Sequence, residues 1–236
     1  MSRIAIVAAL PGELKPLVRG WTHSQHHGVD LWSRQTAGVE VIAACAGAGA
    51  KAAGRALAEV FPQEKPTLVI SVGWAGALTG GYRTGEAYPV SAVIDAGSGE
   101  RFSATLLSAS AHPAPAATLV TIRTVAGIAE KRRLATTHSA GLVDMEATAV
   151  ARWAAAHSVP FACIKAISDG PQDPLPDFNP FLSESGQFLT GRFVLFALVR
   201  PALWPVLIRM GRHSSRAAQS LAKYLGDVLT QQGKRF

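Results

Sequence analysis

The chain has 236 residues, 48% hydrophobic and 17% charged, with no Pro/Ser-rich linker or charge block to divide it. One substantial core and a single domain over 1–236 are expected. Of its 23 Lys/Arg and 16 Asp/Glu, residues 186–236 hold eight bases (Arg192, Arg200, Arg209, Arg212, Arg216, Lys223, Lys234, Arg235) and one acid, Asp227, leaving 15 of each elsewhere. The whole formal charge of +7 therefore belongs to the tail, which excludes a generally basic protein and leaves a local basic surface.

In chain order, residues 4–10 form an apolar run that is too short for a signal peptide, lacks a cleavage site and meets Pro11-Gly12. It predicts a first strand. Further strand-like runs lie at 39–46, 67–73, 88–95, 118–123 and 161–167, with helix-like runs at 50–61, 130–136 and 145–158 between some of them. The strands are apolar on both sides of their alternation, as in a sheet covered by helices on both faces. The fold class expected is α/β, a three-layer α/β/α sandwich with a mixed central sheet. Cys45 and Cys163 fall inside strand-like runs and read as buried reduced thiols, which places the chain in a reducing, cytoplasmic setting.

His23, His26 and His27 crowd a polar segment without a partnering Cys or acid cluster, so a solvated loop is preferred to a metal site. His112 and His138 also have loop-like surroundings. The run Cys45-Ala46-Gly47-Ala48-Gly49-Ala50-Lys51-Ala52 fits a loose GxGxxA fingerprint, but the next strand, Thr67 onward to Gly73, ends without the acid that would hold a ribose. A tight strand-to-helix turn explains these glycines, and no cofactor or metal is expected.

Past Asp169, Gly170-Pro171-Gln172-Asp173-Pro174-Leu175-Pro176 is a rigid loop, because its prolines fix φ and deny helix. Residues 193–210 are apolar, yet Arg200, Pro201, Pro205 and Arg209 interrupt them. One arginine at a bilayer centre costs roughly 2.5–3.5 kcal/mol, so a membrane span is rejected. A basic amphipathic helix is expected over about 206–230, with Arg209, Arg212, Arg216 and Lys223 on one stripe and Met210, Ala217, Leu221, Leu225 and Val228 on the other.

The chemistry gathers at three acids. Glu13 follows the first strand, Glu146 lies in Val143-Asp144-Met145-Glu146-Ala147 where a helix opens, and Asp169 lies in Ala166-Ile167-Ser168-Asp169-Gly170 where a strand ends. Carboxylates at element termini facing connecting loops occupy the positions where α/β folds keep their sites. Taken singly, Glu13 and Glu146 are also ordinary first-turn helix acids favoured by the helix dipole.

These motifs resemble the nucleoside phosphorylase and nucleosidase superfamily, particularly the nucleosidases that act on methylthioadenosine and S-adenosylhomocysteine. The resemblance covers most of residues 1–170 and implies a phosphorylase/hydrolase-like fold. It also implies roles: Glu13 orients and deprotonates the attacking water, Met145 packs on the sugar face, and Glu146 accepts hydrogen bonds from ribose hydroxyls. Asp169, oriented by Ser168, protonates N7 of the leaving adenine. Asp144 departs from the glutamate usual there and is assigned no chemistry. Phosphorylases of the bacterial hexameric type keep an arginine and a serine around the turn after the strand at 67–73, whereas this chain has Ser71 and, after Gly73, Trp74. An indole cannot neutralise phosphate, so hydrolysis is favoured, with Gly73 and Trp74 as pocket-wall residues; Arg83, nearby in sequence, keeps a phosphate-dependent purine nucleoside phosphorylase as the alternative.

The tail refines the substrate. Residues 191–225, with the run Arg200-Pro201-Ala202-Leu203-Trp204-Pro205-Val206-Leu207-Ile208-Arg209, resemble the hopanoid-biosynthesis branch, which implies a lipid-linked nucleoside such as adenosylhopane. On this reading 174–216 is an apolar, basic family-specific insertion suited to an anionic membrane surface, so that the chain is cytoplasmic and peripheral at the inner face. A homodimer is expected, and no nucleic acid. A methylthioadenosine/S-adenosylhomocysteine nucleosidase remains an alternative substrate reading. From another class, the tail is a basic binding surface on a non-catalytic domain, although few aromatics interleave its arginines as stacking on nucleic acid requires.

Overall fold

The structure is a computed structural model, and it describes residues 2–36, 38–61, 65–107, 116–181, 183 and 188–233. His112, Lys234, Arg235 and parts of 174–216 lie outside the described residues.

Ten strands pair into one mixed sheet. Strand β1 (Ser2–Ala8) lies parallel between β4 (Val39–Cys45) and β5 (Leu68–Ala77), and β4 continues antiparallel into β3 (Val29–Thr36) and β2 (Thr22–His26). Beyond β5 the sheet curls and closes. Strand β10 (Phe161–Asp169) pairs with both β5 and β6 (Ala87–Asp95), β6 pairs with β8 (Ala117–Thr121), β8 with β9 (Leu142–Asp144), and β9 returns to β5. A short β7 (Arg101–Ser103) hangs on β6. This mixed α/β arrangement is the one the alternating runs predict.

Alternation along the strands divides the core into layers. Ala5, Val7 and Val69 pack with Ala52, Ala56 and Leu57 of α2 (Ala50–Val60) and Val150 and Ala154 of α4 (Ala147–Ala156). Their neighbours Ile4, Ile6, Ile70 and Val72 face the other way, against Ala217, Leu221, Tyr224, Leu225 and Val228 of α6 (Trp204–Gly233). A third cluster, with Leu134 of α3 (Ile128–His138), Val120 and Val143, covers the closed side of the sheet. Two hydrogen bonds pin α6: the Tyr224 hydroxyl donates to Leu107 O at 2.7 Å, and Ala87 N donates to Ser220 Oγ at 3.0 Å.

Three local expectations are corrected. The polar histidine segment is an edge strand, not a loop: β2 hydrogen-bonds to β3, with His23 Nε2 3.0 Å from Asp30 Oδ1 and His27, in the turn, 2.8 Å by Nδ1 from Glu59 Oε1. His138 closes helix α3 and does not sit in a loop. The helix expected to begin at Met145 begins at Ala147, because Asp144 Oδ2 accepts the Ala147 N–H at 2.9 Å and satisfies the first turn from outside. Among the described residues no single helix is long and apolar enough to cross a membrane; residues 191–198 and 201–231 reach that length and composition only as a pair bent by 105°.

Candidate active site

Glu13 is positioned by the end of β1. Pro11 opens a four-residue helix, α1 (Pro11–Leu14), and at its third position Glu13 reaches back to the preceding backbone. Oε2 accepts Ala9 N and Leu10 N, both at 2.9 Å, and Oε1 accepts Trp74 N at 2.7 Å. Burial pushes this carboxyl above the usual range, and the three N–H groups and the Lys165 charge offset part of the rise. Gly73 (φ +133°) is required behind it, because a Cβ there would lie 2.7 Å from Glu13 Oε1.

Asp169 owes its direction to a bulge. Pairing of β10 with β5 slips between Ile167 and Asp169, so Ser168 and Asp169, which a regular strand would point to opposite faces, both reach the same cavity. Ser168 Oγ donates to Asp169 Oδ1 at 2.6 Å, the orientation expected of it. The other oxygen is engaged as well. Lys131 Nζ, from α3, donates to Asp169 Oδ2 and, at 2.6 Å, to Gly170 O. Gly76 makes room for that pair: a Cβ on it would stand 2.9 Å from Asp169 Oδ2 and 3.2 Å from Lys131 Cε. Gly73 and Gly76, three residues apart on β5, thus leave room for the Glu13 and the Asp169 carboxylates in turn.

Residues 143–146 line the same cavity as both acids. Asp144 is structural: it accepts Thr121 Oγ1 at 2.6 Å, caps α4 and pairs with buried Lys165 at 2.8 Å. Burial alone would lower the Lys165 pKa, but Asp144, with Cys163 and Glu146, raises it overall. Glu146 turns away from α4, and its Oε1 accepts Gly49 N at 2.6 Å from the turn before α2. Its pKa is pushed up to about 8, first by burial and then by Asp144, against the opposing pull of Lys165. Burial and the Asp144 charge thus favour the protonated form of Glu146.

These side chains line one cavity of about 300 Å³. Glu13, Trp74, Met145, Glu146, Ser168 and Asp169 all reach it. Gly73 does not, and its expected place in the pocket wall is corrected to a supporting one behind Glu13. The Trp74 indole Nε1 has no hydrogen-bond partner among the described residues. The phosphate ligands that sequence left open are elsewhere: Ser71 is buried within β5 away from the cavity, and the Arg83 side chain is 83% exposed, 4.0 Å from Glu86. At the cavity mouth Leu175, Phe178, Phe188 and Met210 form an apolar wall.

The sequence matches the profile of the phosphorylase superfamily over residues 3–126 and 103–191. The chain belongs to this superfamily. Solved structures of similar fold include a futalosine hydrolase of Helicobacter pylori (15% identity, 98% of each chain covered, TM-score 0.72). An Arabidopsis thaliana 5′-methylthioadenosine nucleosidase is also similar (16%, 98% of this chain and 96% of that one, TM-score 0.73). So is a Helicobacter pylori MTAN variant with 5′-methylthioadenosine in its active site (14%, 98% and 99%, TM-score 0.73). No significant match is found among curated protein sequences.

Within this superfamily scaffold, sequence reasoning missed Lys131, Lys165 and the mouth residues. Lys131 carried one faint signal: it precedes Leu134 by three positions, so it shares the buried face of α3 while Arg132 and Arg133 point outward. Lys165, a charge inside the apolar run Phe161-Ala162-Cys163-Ile164-Lys165-Ala166, was a clearer one.

Proposed function

We propose that the chain hydrolyses the N-ribosidic bond of an adenosine-type nucleoside and releases adenine. The observation that carries this reading is the pair of buried carboxylates, Glu13 and Asp169, which line one cavity together with Met145 and Glu146. Inverting glycosidases likewise use one carboxyl group as acid and another as base on opposite sides of a sugar, with room for a water. Glu13, held by three N–H groups, orients and deprotonates water; Asp169 passes a proton to N7 as the bond stretches, an effect of about 10²–10⁴-fold. Glu146 and Met145 hold the ribose. Methylthioadenosine in the active site of the Helicobacter pylori MTAN variant is consistent with a nucleoside of this size.

Water is favoured over phosphate by charge. The only cation lining the cavity among the described residues is Lys131, and Asp169 already holds it.

The finer reading is a lipid-linked nucleoside such as adenosylhopane, taken up at an anionic membrane surface by a cytoplasmic, peripheral homodimer. Its support is the mouth. Phe178 and Phe188 belong to an aromatic cluster with Phe181, Phe193 and Phe196, ring centroids 5.0–6.3 Å apart. Next to it, α5 (Thr190–Leu198) and the start of α6 expose Leu195 (68%), Leu198, Val199 (73%), Trp204 and Ile208. Arg200 stacks 3.9 Å over Phe196, and exposed Arg209 and Arg212 follow along α6. Exposed apolar side chains with arginines close by in the chain suit an interface between lipid and water.

The test measures free adenine from adenosine, methylthioadenosine and a lipid-linked adenosine, with and without phosphate. Free ribose product with no phosphate requirement supports hydrolysis; strict phosphate dependence with ribose 1-phosphate as product makes the chain a phosphorylase. Absence of turnover on all three leaves a non-catalytic binding domain.

A further inference from the structure

Lys131 is 1% exposed, the most enclosed of the three consecutive bases on α3. The other two face outward, Arg133 onto Glu130 at 2.7 Å and Arg132 onto Gln172 at 3.0 Å. Removing an ammonium from water costs several kcal/mol even after relaxation, and an apolar side chain of similar volume fills such a position as well or better. What a methionine cannot do is hold a proton at the cavity. Ser168 reaches one oxygen of Asp169 and Lys131 the other, so the ammonium places its N–H groups directly on this carboxyl group. The remaining charged groups have other partners: Asp173 accepts Gly170 N at 2.7 Å, Asp144 is occupied by Lys165, Glu146 accepts Gly49 N, and Glu13 accepts Ala9 N, Leu10 N and Trp74 N.

We propose that Lys131 stores the proton that reaches the leaving base and delivers it through Asp169. The proposal rests on the ribosidic cleavage argued above. As the C1′–N9 bond breaks and its electron pair moves onto the purine, Asp169 gives a proton to N7 and takes one from Lys131 Nζ. Water adds to C1′ and its proton passes to Glu13. The products are neutral base and free sugar, with a neutral Lys131 amine, an Asp169 carboxylate and a protonated Glu13; exchange with solvent returns the proton from Glu13 to Lys131 once the products leave. Lys131 is thus a positioning residue that acts through Asp169.

The test compares adenosine with p-nitrophenyl β-D-riboside, whose phenolate departs without a proton. In Lys131→Met and Lys131→Arg, the ratio of kcat/KM on adenosine to that on the nitrophenyl riboside falls by about 10²–10⁴-fold. Arginine does not rescue, because a guanidinium does not release its proton. In Lys131→Ala, ethylammonium restores adenosine turnover, whereas tetramethylammonium, equally charged but without an N–H, does not. Equal losses on both substrates, recovery with arginine, or rescue by tetramethylammonium would reduce Lys131 to packing or charge and overturn the relay while leaving ribosidic cleavage standing. Failure of the unaltered protein to release adenine from adenosine, methylthioadenosine and a lipid-linked adenosine alike overturns both.

Discussion

Replacing Glu146 by Gln should flatten the dependence of folding stability on pH. In the folded protein the Glu146 carboxyl titrates at about 8 against an ordinary value of 4.5, chiefly because burial disfavours its anion and Asp144 repels it. Between those two values the native state holds a proton that the unfolded chain has released. Stability therefore falls as pH rises: the contribution is complete below the unfolded value and is lost as pH climbs through the folded one. Integrated from about pH 5 to about pH 8, one such group costs at most about 3–4 kcal/mol. Glutamine keeps the oxygen that accepts the Gly49 N–H and has no charge to titrate. Urea unfolding at several pH values measures the difference directly: the variant should gain on the unaltered protein by that amount between the two extremes, with Glu13, whose pKa is also raised, contributing the same slope to both. Parallel stability curves across this range would refute the assignment of a buried, protonated Glu146.

Three more outcomes are expected. Asp169→Asn keeps an acceptor for Ser168 but cannot pass a proton, so kcat on adenosine should fall by about 10²–10⁴-fold with the fold intact by circular dichroism. Asp144→Ala strands Lys165 as an unpaired buried charge and removes the cap of α4; chemical denaturation should show a loss of about 3–5 kcal/mol. Charge reversal of Arg209, Arg212 and Arg216 to Glu should abolish co-sedimentation with anionic liposomes while sparing adenosine turnover, since each base near such a surface contributes about 1 kcal/mol.

Most of the sheet was legible because its strands are apolar on both faces and their neighbours are punctuated by glycine and proline. The hairpin of β2 and β3 was not: Thr22-His23-Ser24-Gln25-His26 is polar throughout, Val29–Thr36 is mixed in character, and pairing with each other and with β4 makes them strands. β9, three residues long, is likewise defined by its neighbours on both sides. In the site, the placement of Glu13, Met145, Glu146, Ser168 and Asp169 around one cavity followed from their positions at element ends. The company they keep did not. That Lys131 meets Asp169 across 38 positions, or that Gly49 donates to Glu146 across 97, depends on how α3 and α2 dock, which no local pattern encodes. Gly73 shows the same limit from the other side, since its reason for being glycine is a carboxylate sixty residues upstream.

Helix α6 runs unbroken for 30 residues, about 45 Å, with its second half locked in the core and its first half carrying Met210 and Ser214 to the cavity. A continuous helix has no slack in phase. One residue inserted between Ser214 and Ala217 would turn everything before it by about 100°, swinging Met210 off the cavity wall and the arginine stripe around the helix, whereas four residues would nearly restore the phase. The cavity mouth and the hydrophobic core thus share one rotational register, and the two can change length independently only in steps of whole helical turns.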